Sequence, residues 1–286
     1  MYNFTQHRPT GLRQASNMLG KLEEAKILAG GQTLIPTMKL RLASPGNIVD
    51  LNAIAGELSG IELRGRSIVI GAMTRHVDVA DSPVVKEHLP ALAYLAGLVG
   101  DPAVRHRGTL GGSVANNDPN ADYPAACLGL GATIHTTKGK HEADNFFKGL
   151  FETALAPDEI ITKISFPLAK KAGYEKFRNQ ASRFALVGVF VSKRGSDIRV
   201  AVTGAGSNGV FRVTSFEEAL KKRFSPKSLD GLTIPADGMN SDIHGSAEYR
   251  AHLVGVMARR AVARANEMSS GSDDEGKAAP GVEFGP

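Results

Sequence analysis

The stretch RGTLGGSVANNDPNADYP, residues 107–124, holds a glycine pair, three asparagines, two aspartates and two prolines, with few bulky apolar side chains. Such a segment is either a surface loop whose side chains bond their own backbone, or a cradle for a polar ligand that carries phosphate. The composition of the stretch fits both interpretations, so the choice between them depends on what the rest of the chain offers.

Two glycine pairs flanked by polar residues are candidates for phosphate binding. The first, Ala29-Gly30-Gly31-Gln32-Thr33, follows a predicted short strand, so its backbone N–H groups can point together at an anion. Glycine permits close approach of a ligand, and the Thr33 hydroxyl adds a donor. The second, Thr109-Leu110-Gly111-Gly112-Ser113, repeats this pattern inside the opening stretch. Because a diphosphate needs donors from two sides, two loops far apart in sequence can supply them together.

Polar residues just beyond the second pair extend the candidate site. Asn116, Asp118 and Asp122 lie there, and a carboxylate suits ribose hydroxyls better than it suits phosphate. For Asn117 and Asn120 the ordinary interpretation is stronger, since asparagine side chains in loops commonly bond nearby backbone. The segment therefore predicts a mixture of ligand-binding and purely structural polar residues.

A third glycine cluster, GAGSNG at residues 204–209, matches the dinucleotide-binding pattern G-x-G-x-x-G letter for letter. That pattern binds a dinucleotide when it opens a helix directly after a strand. Here residues 210–213 look extended, and a helix begins only at Ser215, with Glu218 at the spacing of a capping box. The cluster is therefore interpreted as the end of a hairpin.

Composition and charge exclude several classes of protein. Of the 286 residues, 42% are hydrophobic and 22% are charged, which is typical of a soluble globular protein, and no apolar run is long enough to span a bilayer. The first residues lack a secretion signal, so we expect a cytoplasmic protein. The net charge of +5 comes without long basic runs, and we expect no nucleic acid partner. Cys127, the single cysteine, cannot alone ligate an iron–sulfur cluster or a structural zinc, and we expect no metal site.

The chain divides near residue 171. Before that point, short strands alternate with helices, the first of which is predicted over residues 10–26. After it, two strands are joined by a turn at residues 194–197, and a long helix begins after Ser246. We expect domains at 1–171, with parts at about 1–58 and 59–171, and at 172–268. The serine-, glycine- and acid-rich tail, 269–286, is predicted to be mobile.

The two glycine motifs in their sequence context resemble a known family. AGGQTLIPTMKLRLASPGNIVDL followed much later by RHRGTLGGSVANNDPNADYPAA is similar to the FAD-binding medium subunit of the molybdenum hydroxylases, the xanthine dehydrogenase and aerobic carbon monoxide dehydrogenase group. The resemblance continues through YEKFRNQASRFALVGVFV and covers nearly all the chain except the tail. It implies an α+β fold: a two-part FAD-binding domain like that of vanillyl-alcohol oxidase, then a small domain with an antiparallel sheet and helices.

The resemblance also implies a set of FAD-binding residues in this sequence. The diphosphate would be held by two runs, which are Ala29, Gly30, Gly31, Gln32, Thr33 and Leu34, and Thr109, Leu110, Gly111, Gly112 and Ser113. Asn116 and Asp122 would bind the adenosine–ribitol portion, Asp118 is a further cofactor-binding candidate beside them, and Ile160 and Ile161 would lie against the cofactor. Arg178 or Lys176 would supply a positive charge near the flavin ring, where family members place a tyrosine or a lysine. The second motif often ends in Asn, whereas here it ends in Ser113.

The implied function is electron transfer within a complex. Electrons would reach the FAD from [2Fe-2S] clusters on a small subunit, after a large subunit with a molybdenum cofactor oxidises the substrate, and would leave to an external acceptor such as a quinone. A dimer of heterotrimers is expected, and this chain would hold no catalytic residue of its own. Two alternatives stay open: an autonomous FAD-dependent oxidase or reductase, and a non-enzymatic nucleotide-binding module. The sequence names neither substrate nor acceptor.

Overall fold

The first part of the chain is a small parallel sheet with helices. The computed structural model describes residues 1–270, and strands β1, β2 and β3 form a parallel sheet in the order β1-β3-β2. Apolar residues of the first helix and the third strand, such as Ala15 and Val49, are fully buried in one core. The elements are β1 (Thr5–His7), α1 (Leu12–Lys21), β2 (Ala25–Leu28), α2 (Leu34–Lys39), β3 (Asn47–Asp50), a 3₁₀ turn (Leu51–Ile54) and α3 (Ala55–Leu58).

The second part is a five-stranded antiparallel sheet with helices packed on it. The strand order is β4-β5-β10-β6-β7, and a separate two-stranded ribbon pairs β8 with β9. The strands are β4 (Ile61–Arg64), β5 (Ser67–Gly71), β6 (Thr133–Thr136), β7 (Lys140–Glu142), β8 (Phe147–Gly149), β9 (Glu152–Thr153) and β10 (Ile161–Pro167). The helices are α4 (His76–Asp81), α5 (Pro83–His88), α6 (Pro90–Gly97), α7 (Pro102–Arg105), α8 (Leu110–Asn116), α9 (Tyr123–Leu130) and α10 (Ala143–Phe146).

The last part is an antiparallel sheet covered by a long helix. The sheet has the order β11-β12-β13-β14, and alternate residues of β12, such as Val187 and Val189, pack against Ala258 and Ala261 of the last helix in a second core. The elements are β11 (Lys171–Arg178), β12 (Ala185–Arg194), β13 (Asp197–Thr203), β14 (Phe211–Arg212), α11 (Thr214–Lys222), a 3₁₀ turn (Pro226–Leu229) and α12 (Ala247–Ser270). The predicted α+β fold with a C-terminal antiparallel sheet and helices is confirmed.

The second and third parts share a core. Tyr174 and Phe190, from β11 and β12, are completely buried together with residues of helix α9 such as Tyr123. The predicted boundary near residue 171 falls at the first residue of β11, directly after the connection from β10. The predicted mobile tail, 269–286, lies outside the described residues except for Ser269 and Ser270, which continue α12. In residues 1–270 we find no helix whose length and hydropathy would let it span a membrane.

Two local predictions are wrong. The first helix is shorter than residues 10–26, since the chain already enters strand β2 at Ala25. The predicted capping box of Ser215 and Glu218 does not form, because helix α11 begins one residue earlier, at Thr214. Glu218 instead forms an exposed ion pair with Lys221. The rejected third glycine cluster does connect strands β13 and β14, as the hairpin interpretation expects.

Candidate functional site

The first glycine pair lies in a loop at the carboxyl end of strand β2, in the parallel sheet. Ligands of open α/β sheets bind outside the carboxyl ends of the strands, so the loop stands where such a ligand would lie. Within residues 1–270, the backbone N–H groups of residues 30–33 donate to no protein acceptor. Gln32 and Thr33 are exposed, and Gly31 has a φ of +75°, which favours glycine. This loop therefore offers several unpaired donors in succession, which is the arrangement that an anion requires.

The buried Asp50 carboxylate holds this loop in place through Asn52. The Asn52 side-chain amide donates to the Ala29 carbonyl oxygen at 2.9 Å and to Asp50 at 2.7 Å, and the Gln6 amide donates to Asp50 at 2.8 Å. Burial raises the pKa of Asp50, but the hydrogen bonds from Asn52 and Gln6 outweigh it, so this pKa lies below its ordinary value. The sequence analysis did not find Asn52. Its signal is the Asp50-Leu51-Asn52 run directly after a strand.

The second glycine pair is the first turn of a helix. Thr109 caps helix α8, where its hydroxyl accepts from the Gly112 N–H at 3.2 Å and its carbonyl oxygen accepts from the Ser113 N–H. The N–H of Gly111 donates to the carbonyl oxygen of Ala72 at 2.8 Å, and the N–H of Leu110 donates to Thr74. The backbone donors of residues 110–113 therefore already have partners inside the protein. What this motif leaves for a ligand is the hydroxyl groups of its side chains.

The structure brings the two glycine pairs together. A methyl group on Gly30 would lie 2.1 Å from the carbonyl oxygen of Arg107 and 2.8 Å from the Cα atom of Gly108. A methyl group on Gly112 would lie 3.6 Å from the Cβ atom of Ala29. The two loops touch backbone to backbone, and only glycine allows this distance at Gly30. The two motifs are therefore neighbours in space. The region where they meet is the candidate cleft, and its binding of a diphosphate stays a prediction.

Two arginines that the sequence analysis left unassigned lie at this cleft. Arg107 precedes the second motif and is exposed, and Arg75 is exposed and forms an isolated antiparallel bridge with Thr109. Neither guanidinium has an ion-pair partner among residues 1–270. Both residues therefore carry positive charge without an ion-pair partner close to the second motif, and such charge attracts phosphate groups. In the sequence they could have been noticed only by asking which cations flank a glycine motif.

A buried, neutral histidine packs against Gly108, directly before the second glycine motif. His76 is 4% exposed, its backbone N–H donates to the Gly108 carbonyl oxygen at 3.0 Å, and a methyl on Gly108 would lie 2.6 Å from its Nε2 atom. Burial, with a smaller contribution from the Arg105 charge, lowers the pKa of His76 to about 4. The imidazole is therefore uncharged near neutral pH, and Gly108 is needed for this close contact.

Asp122 lies in a buried ionic cluster. Its carboxylate is 4% exposed, accepts a short hydrogen bond from the Tyr174 hydroxyl, and lies 3.0 Å from the Lys176 ammonium. Burial raises the pKa of Asp122, and the Lys176 charge and Tyr174 hydrogen bond oppose this. Lys176 also donates to the carbonyl oxygens of Leu98 and Arg183, at 2.9 Å each. The structure thus gives Asp122 and Lys176 partners inside the protein. The assignment of either residue to the cofactor stays a prediction.

Some of the other polar residues in residues 107–124 form hydrogen bonds within the protein. Asn116 ends helix α8 and is half-buried. Asp118 accepts from the Asn120 N–H at 2.8 Å, and burial raises its pKa against the effect of that bond. The Asn117 side-chain amide donates to the carbonyl oxygens of Gly149 and Glu152, at 2.8 Å each. Asn117 is therefore structural, as the ordinary interpretation expected, while Asn116 and Asp118 are near enough in sequence to the cleft to stay candidates.

The three remaining candidates lie on other elements. Ile160 and Ile161 are 2% and 5% exposed, and their side chains belong to two different cores. The Thr137 N–H donates to the Ile160 carbonyl oxygen at 2.9 Å, and the Ile160 N–H donates to the Thr137 hydroxyl oxygen at 3.1 Å. Arg178 is exposed at the end of strand β11, opposite Ala185. Their assignment to the cofactor stays a prediction.

Two cavities are lined by residues outside the two glycine motifs. One, of about 440 Å³, is lined by residues 231–236 and one side of helix α12. The other, of about 130 Å³, lies between the N-terminal residues and helix α2. Neither is lined by residues of the two glycine motifs.

Comparison with protein families agrees with the fold. A family described as the FAD binding domain in molybdopterin dehydrogenase matches residues 2–169, and one described as the CO dehydrogenase flavoprotein C-terminal domain matches residues 172–265. The chain therefore belongs to the FAD-binding subunits of the molybdopterin dehydrogenases. The family resemblance found in the sequence is confirmed.

Individual relatives match over almost their whole length. The chain is 36% identical over 275 residues to the carbon monoxide dehydrogenase medium chain of Hydrogenophaga pseudoflava, and this alignment covers 91% of this chain and 96% of that protein. It is also 36% identical to the nicotine 6-hydroxylase medium subunit of Paenarthrobacter nicotinovorans, over 90% of this chain and 95% of that one. The solved structure of reconstituted CO dehydrogenase from Oligotropha carboxidovorans superposes with a TM-score of 0.82 at 34% identity, over 93% and 99% of the chains. The protein is thus an oxidoreductase subunit related to carbon monoxide dehydrogenase medium chains.

Proposed function

We propose that this chain holds FAD with its diphosphate in the cleft between the two glycine motifs, and that it transfers electrons from partner iron–sulfur clusters to an external acceptor. The observation that carries the proposal is the meeting of the two motifs, where residues 30–33 offer unpaired N–H groups beside Arg107 and Arg75. Bound FAD would supply the redox chemistry, and the protein would supply binding, orientation and electrostatics.

The residues of the cleft have separate proposed tasks. Backbone N–H groups of residues 30–33 donate to the diphosphate, with the Thr33 and Ser113 hydroxyls beside them. Arg75 and Arg107 neutralise its charge. Asn52 and Thr109 hold the two sides of the cleft in place through the hydrogen bonds described above.

The outer portions of the cofactor are assigned from the resemblance. Asn116 and Asp118 are proposed to contact the adenosine–ribitol portion, and Arg178 the neighbourhood of the flavin ring. Asp122 is proposed to act through Lys176, whose hydrogen bond to the Arg183 carbonyl oxygen holds the β11–β12 turn. Asp122 is thus proposed as a positioning residue rather than a ligand.

The other cofactors are proposed to reside on partner subunits. Cys127 is the only cysteine of the chain, it is buried, and burial raises the pKa of its thiol, so it is unsuited to ligate an iron–sulfur cluster. We propose a small subunit with [2Fe-2S] clusters and a large subunit with a molybdenum cofactor, assembled as a dimer of heterotrimers. Substrate then reacts on the large subunit. The names of the relatives, which include carbon monoxide and nicotine enzymes, leave several small substrates open.

One experiment separates this proposal from its alternatives. The chain is purified alone and with its partner subunits, and the two flavin absorbance bands are recorded before and after addition of the oxidisable substrate. The proposal expects the bands in both samples, with bleaching by substrate only when the partners are present. Bleaching of the isolated chain would instead support an autonomous oxidase. The absence of flavin even in the complex would support a different nucleotide-binding module.

A further inference from the structure

The loop of residues 156–160, directly before strand β10, contacts the first part of the chain, which holds the parallel sheet. The Ser16 hydroxyl of helix α1 donates to the Asp158 carbonyl oxygen at 3.0 Å. The Ile160 side chain is 2% exposed and belongs to the same core as Val49 of strand β3. The loop therefore contributes both a hydrogen bond and an apolar side chain to a core that is otherwise built more than eighty residues earlier.

The backbone of the same loop is attached to the second part, which holds the five-stranded sheet. The Thr137 N–H donates to the Ile160 carbonyl oxygen, and the Ile160 N–H donates to the Thr137 hydroxyl oxygen. The next residue, Ile161, begins strand β10, which pairs with β5 and β6. The 156–160 loop is therefore a bridge between the two parts of the FAD-binding domain.

The buried Glu159 carboxylate holds this loop in its conformation. Glu159 is 6% exposed, and one of its oxygens accepts from the Ala156 N–H at 2.9 Å, within the loop. The other oxygen accepts from His141 Nε2 at 2.9 Å and accepts a short hydrogen bond from the Thr136 hydroxyl, on strands β7 and β6. Burial alone would raise the pKa of Glu159, but these hydrogen bonds outweigh it, so this pKa lies below its ordinary value. The ionised carboxylate thus joins the loop to the edge of the five-stranded sheet.

The relative position of the two parts determines the distance between the two glycine motifs. The first motif belongs to the first part and the second motif to the second part, and they meet where Gly30 faces the Arg107 carbonyl oxygen. The chain connection between the parts supplies one further contact, since the Met73 N–H donates to the Leu58 carbonyl oxygen at 2.8 Å. The 156–160 loop supplies another, from residues distant in sequence. Groups that bind a ligand together must be held within about 0.5 Å of their working positions by the residues around them.

We infer that Glu159 is a positioning residue for the cofactor, because its carboxylate holds the 156–160 loop between helix α1 and the five-stranded sheet and thereby fixes the separation of the two glycine motifs. The inference rests on the proposed function. It adds a task for the residue directly before Ile160 and Ile161, which were themselves candidates for contact with the cofactor. Glu159 acts through the loop and not on the cofactor.

The test is the rate at which FAD leaves the full-length chain in its purified complex, measured by the rise of free-flavin fluorescence after dilution. Glu159→Gln replaces one acceptor oxygen by a donor, and it is expected to speed FAD release about tenfold, since a hydrogen bond to a charged group is worth about that factor or more. Ser16→Ala removes the hydrogen bond from helix α1 to the same loop, and a smaller acceleration is expected. Because both substitutions act through one loop, the double variant should release FAD more slowly than the product of the two factors predicts.

Glu217→Gln is the matched control for a purely structural role. Glu217 is also a buried carboxylate, 4% exposed, and it accepts from the Val200 N–H and from Arg212, but it lies in the C-terminal part of the chain. Both glutamine variants are expected to lower the urea midpoint of the protein. Only Glu159→Gln is expected to speed the release of FAD.

Three results would overturn the inference. Release of FAD from Glu159→Gln at the wild-type rate excludes a positioning role. Equal acceleration in Glu217→Gln would mean that release follows overall stability. Strictly multiplicative effects of the Ser16 and Glu159 substitutions would mean that they do not act through one loop.

A second variant covers the case in which Glu159→Gln does not fold. His141→Phe keeps a ring beside Phe146 and removes one donor from the Glu159 carboxylate. It is expected to speed FAD release by less than Glu159→Gln, and a wild-type rate would exclude the positioning role. If the wild-type complex holds no FAD, the proposed function itself fails, which the flavin absorbance bands report before any variant is compared.

Discussion

The two glycine pairs have nearly the same composition but different structural roles. Gly30 and Gly31 follow a strand of a parallel sheet, and the amides around them have no protein partner within residues 1–270. Gly111 and Gly112 form the first turn of helix α8, where each amide has an acceptor and the backbone packs against Ala72. The first pair is available to a ligand, whereas the second builds the wall that the first pair lies against.

This difference shows why short glycine motifs are weak evidence when taken singly. A glycine pair can serve to expose backbone donors or to let two backbones pack closely, and the letters of the sequence are the same in both cases. What separates them is the destination of the N–H groups. The second region should therefore respond to substitution mainly in stability, and the first mainly in cofactor binding.

The largest effect on stability is expected from Lys176→Met. The substitution leaves the Asp122 carboxylate buried without its partner, which destabilises a protein by about 3–5 kcal/mol. Urea unfolding measures it, with Lys138→Met as control, since the Lys138–Asp158 pair is exposed and its loss should matter little. If Lys176→Met left the urea midpoint unchanged and only released FAD, the cluster behind the second glycine pair would belong to the ligand site instead.

A smaller effect is expected from acid. Because the folded-state pKa of His76 is about 4, against 6.5 for an ordinary histidine, the unfolded chain binds more protons between these values. The contribution of neutral His76 to the free energy of unfolding is fully present above pH 6.5. It decreases as the pH falls toward 4, by about 3 kcal/mol in total. His76→Leu should remove that part of the pH dependence of the unfolding free energy. Parallel curves for the variant and the wild type would contradict the buried, neutral state.

Gly111→Ala tests the packing role of the second pair directly. The added methyl would lie 2.5 Å from the Cβ atom and 2.8 Å from the carbonyl oxygen of Ala72, and overpacking of this kind typically destabilises by about 1–3 kcal/mol. The control is Gly97→Ala in helix α6, where the nearest atom is 3.9 Å away. Thermal unfolding compares the two. A Gly111→Ala protein as stable as the control would mean that the second motif is not close-packed.

The smallest effect is expected from the cap of helix α8. Thr109→Ala removes the hydroxyl that accepts from the Gly112 N–H, which typically destabilises by about 1 kcal/mol. Thr109→Ser keeps an acceptor and should restore most of the loss. A higher urea midpoint for Thr109→Ser than for Thr109→Ala supports the capping role. Equal midpoints would contradict it.

The sequence was sufficient for the elements with strong patterns. Both glycine pairs, the two strands joined by the turn at residues 194–197 and the long helix after Ser246 were predictable, because turn residues, apolar runs and caps act locally. Helix ends were less predictable. Glu218 had the right spacing for a cap, yet the helix begins at Thr214. The adjacent Glu217 carboxylate instead accepts hydrogen bonds from Arg212 and from the Val200 N–H.

The candidate site was predictable in position but not in every role. The internal partners of Asp122 were not predictable, because nothing local shows that Tyr174 and Lys176, more than fifty residues later, reach its carboxylate. Asn52 was missed for the same reason, since its value lies in a hydrogen bond to Ala29 across two strands. Partners brought together by tertiary packing leave no spacing in the sequence.

The most direct test of the cleft is the FAD content of Gly30→Ala beside Gly56→Ala. A methyl on Gly30 would lie 2.1 Å from the Arg107 carbonyl oxygen, whereas a methyl on Gly56 would have no atom within 4 Å. Both proteins are purified with their partner subunits, and flavin per chain is measured by absorbance after denaturation. The cleft predicts that Gly30→Ala folds but retains less than about a tenth of its FAD, while Gly56→Ala retains all of it. Full FAD content in Gly30→Ala would contradict the account.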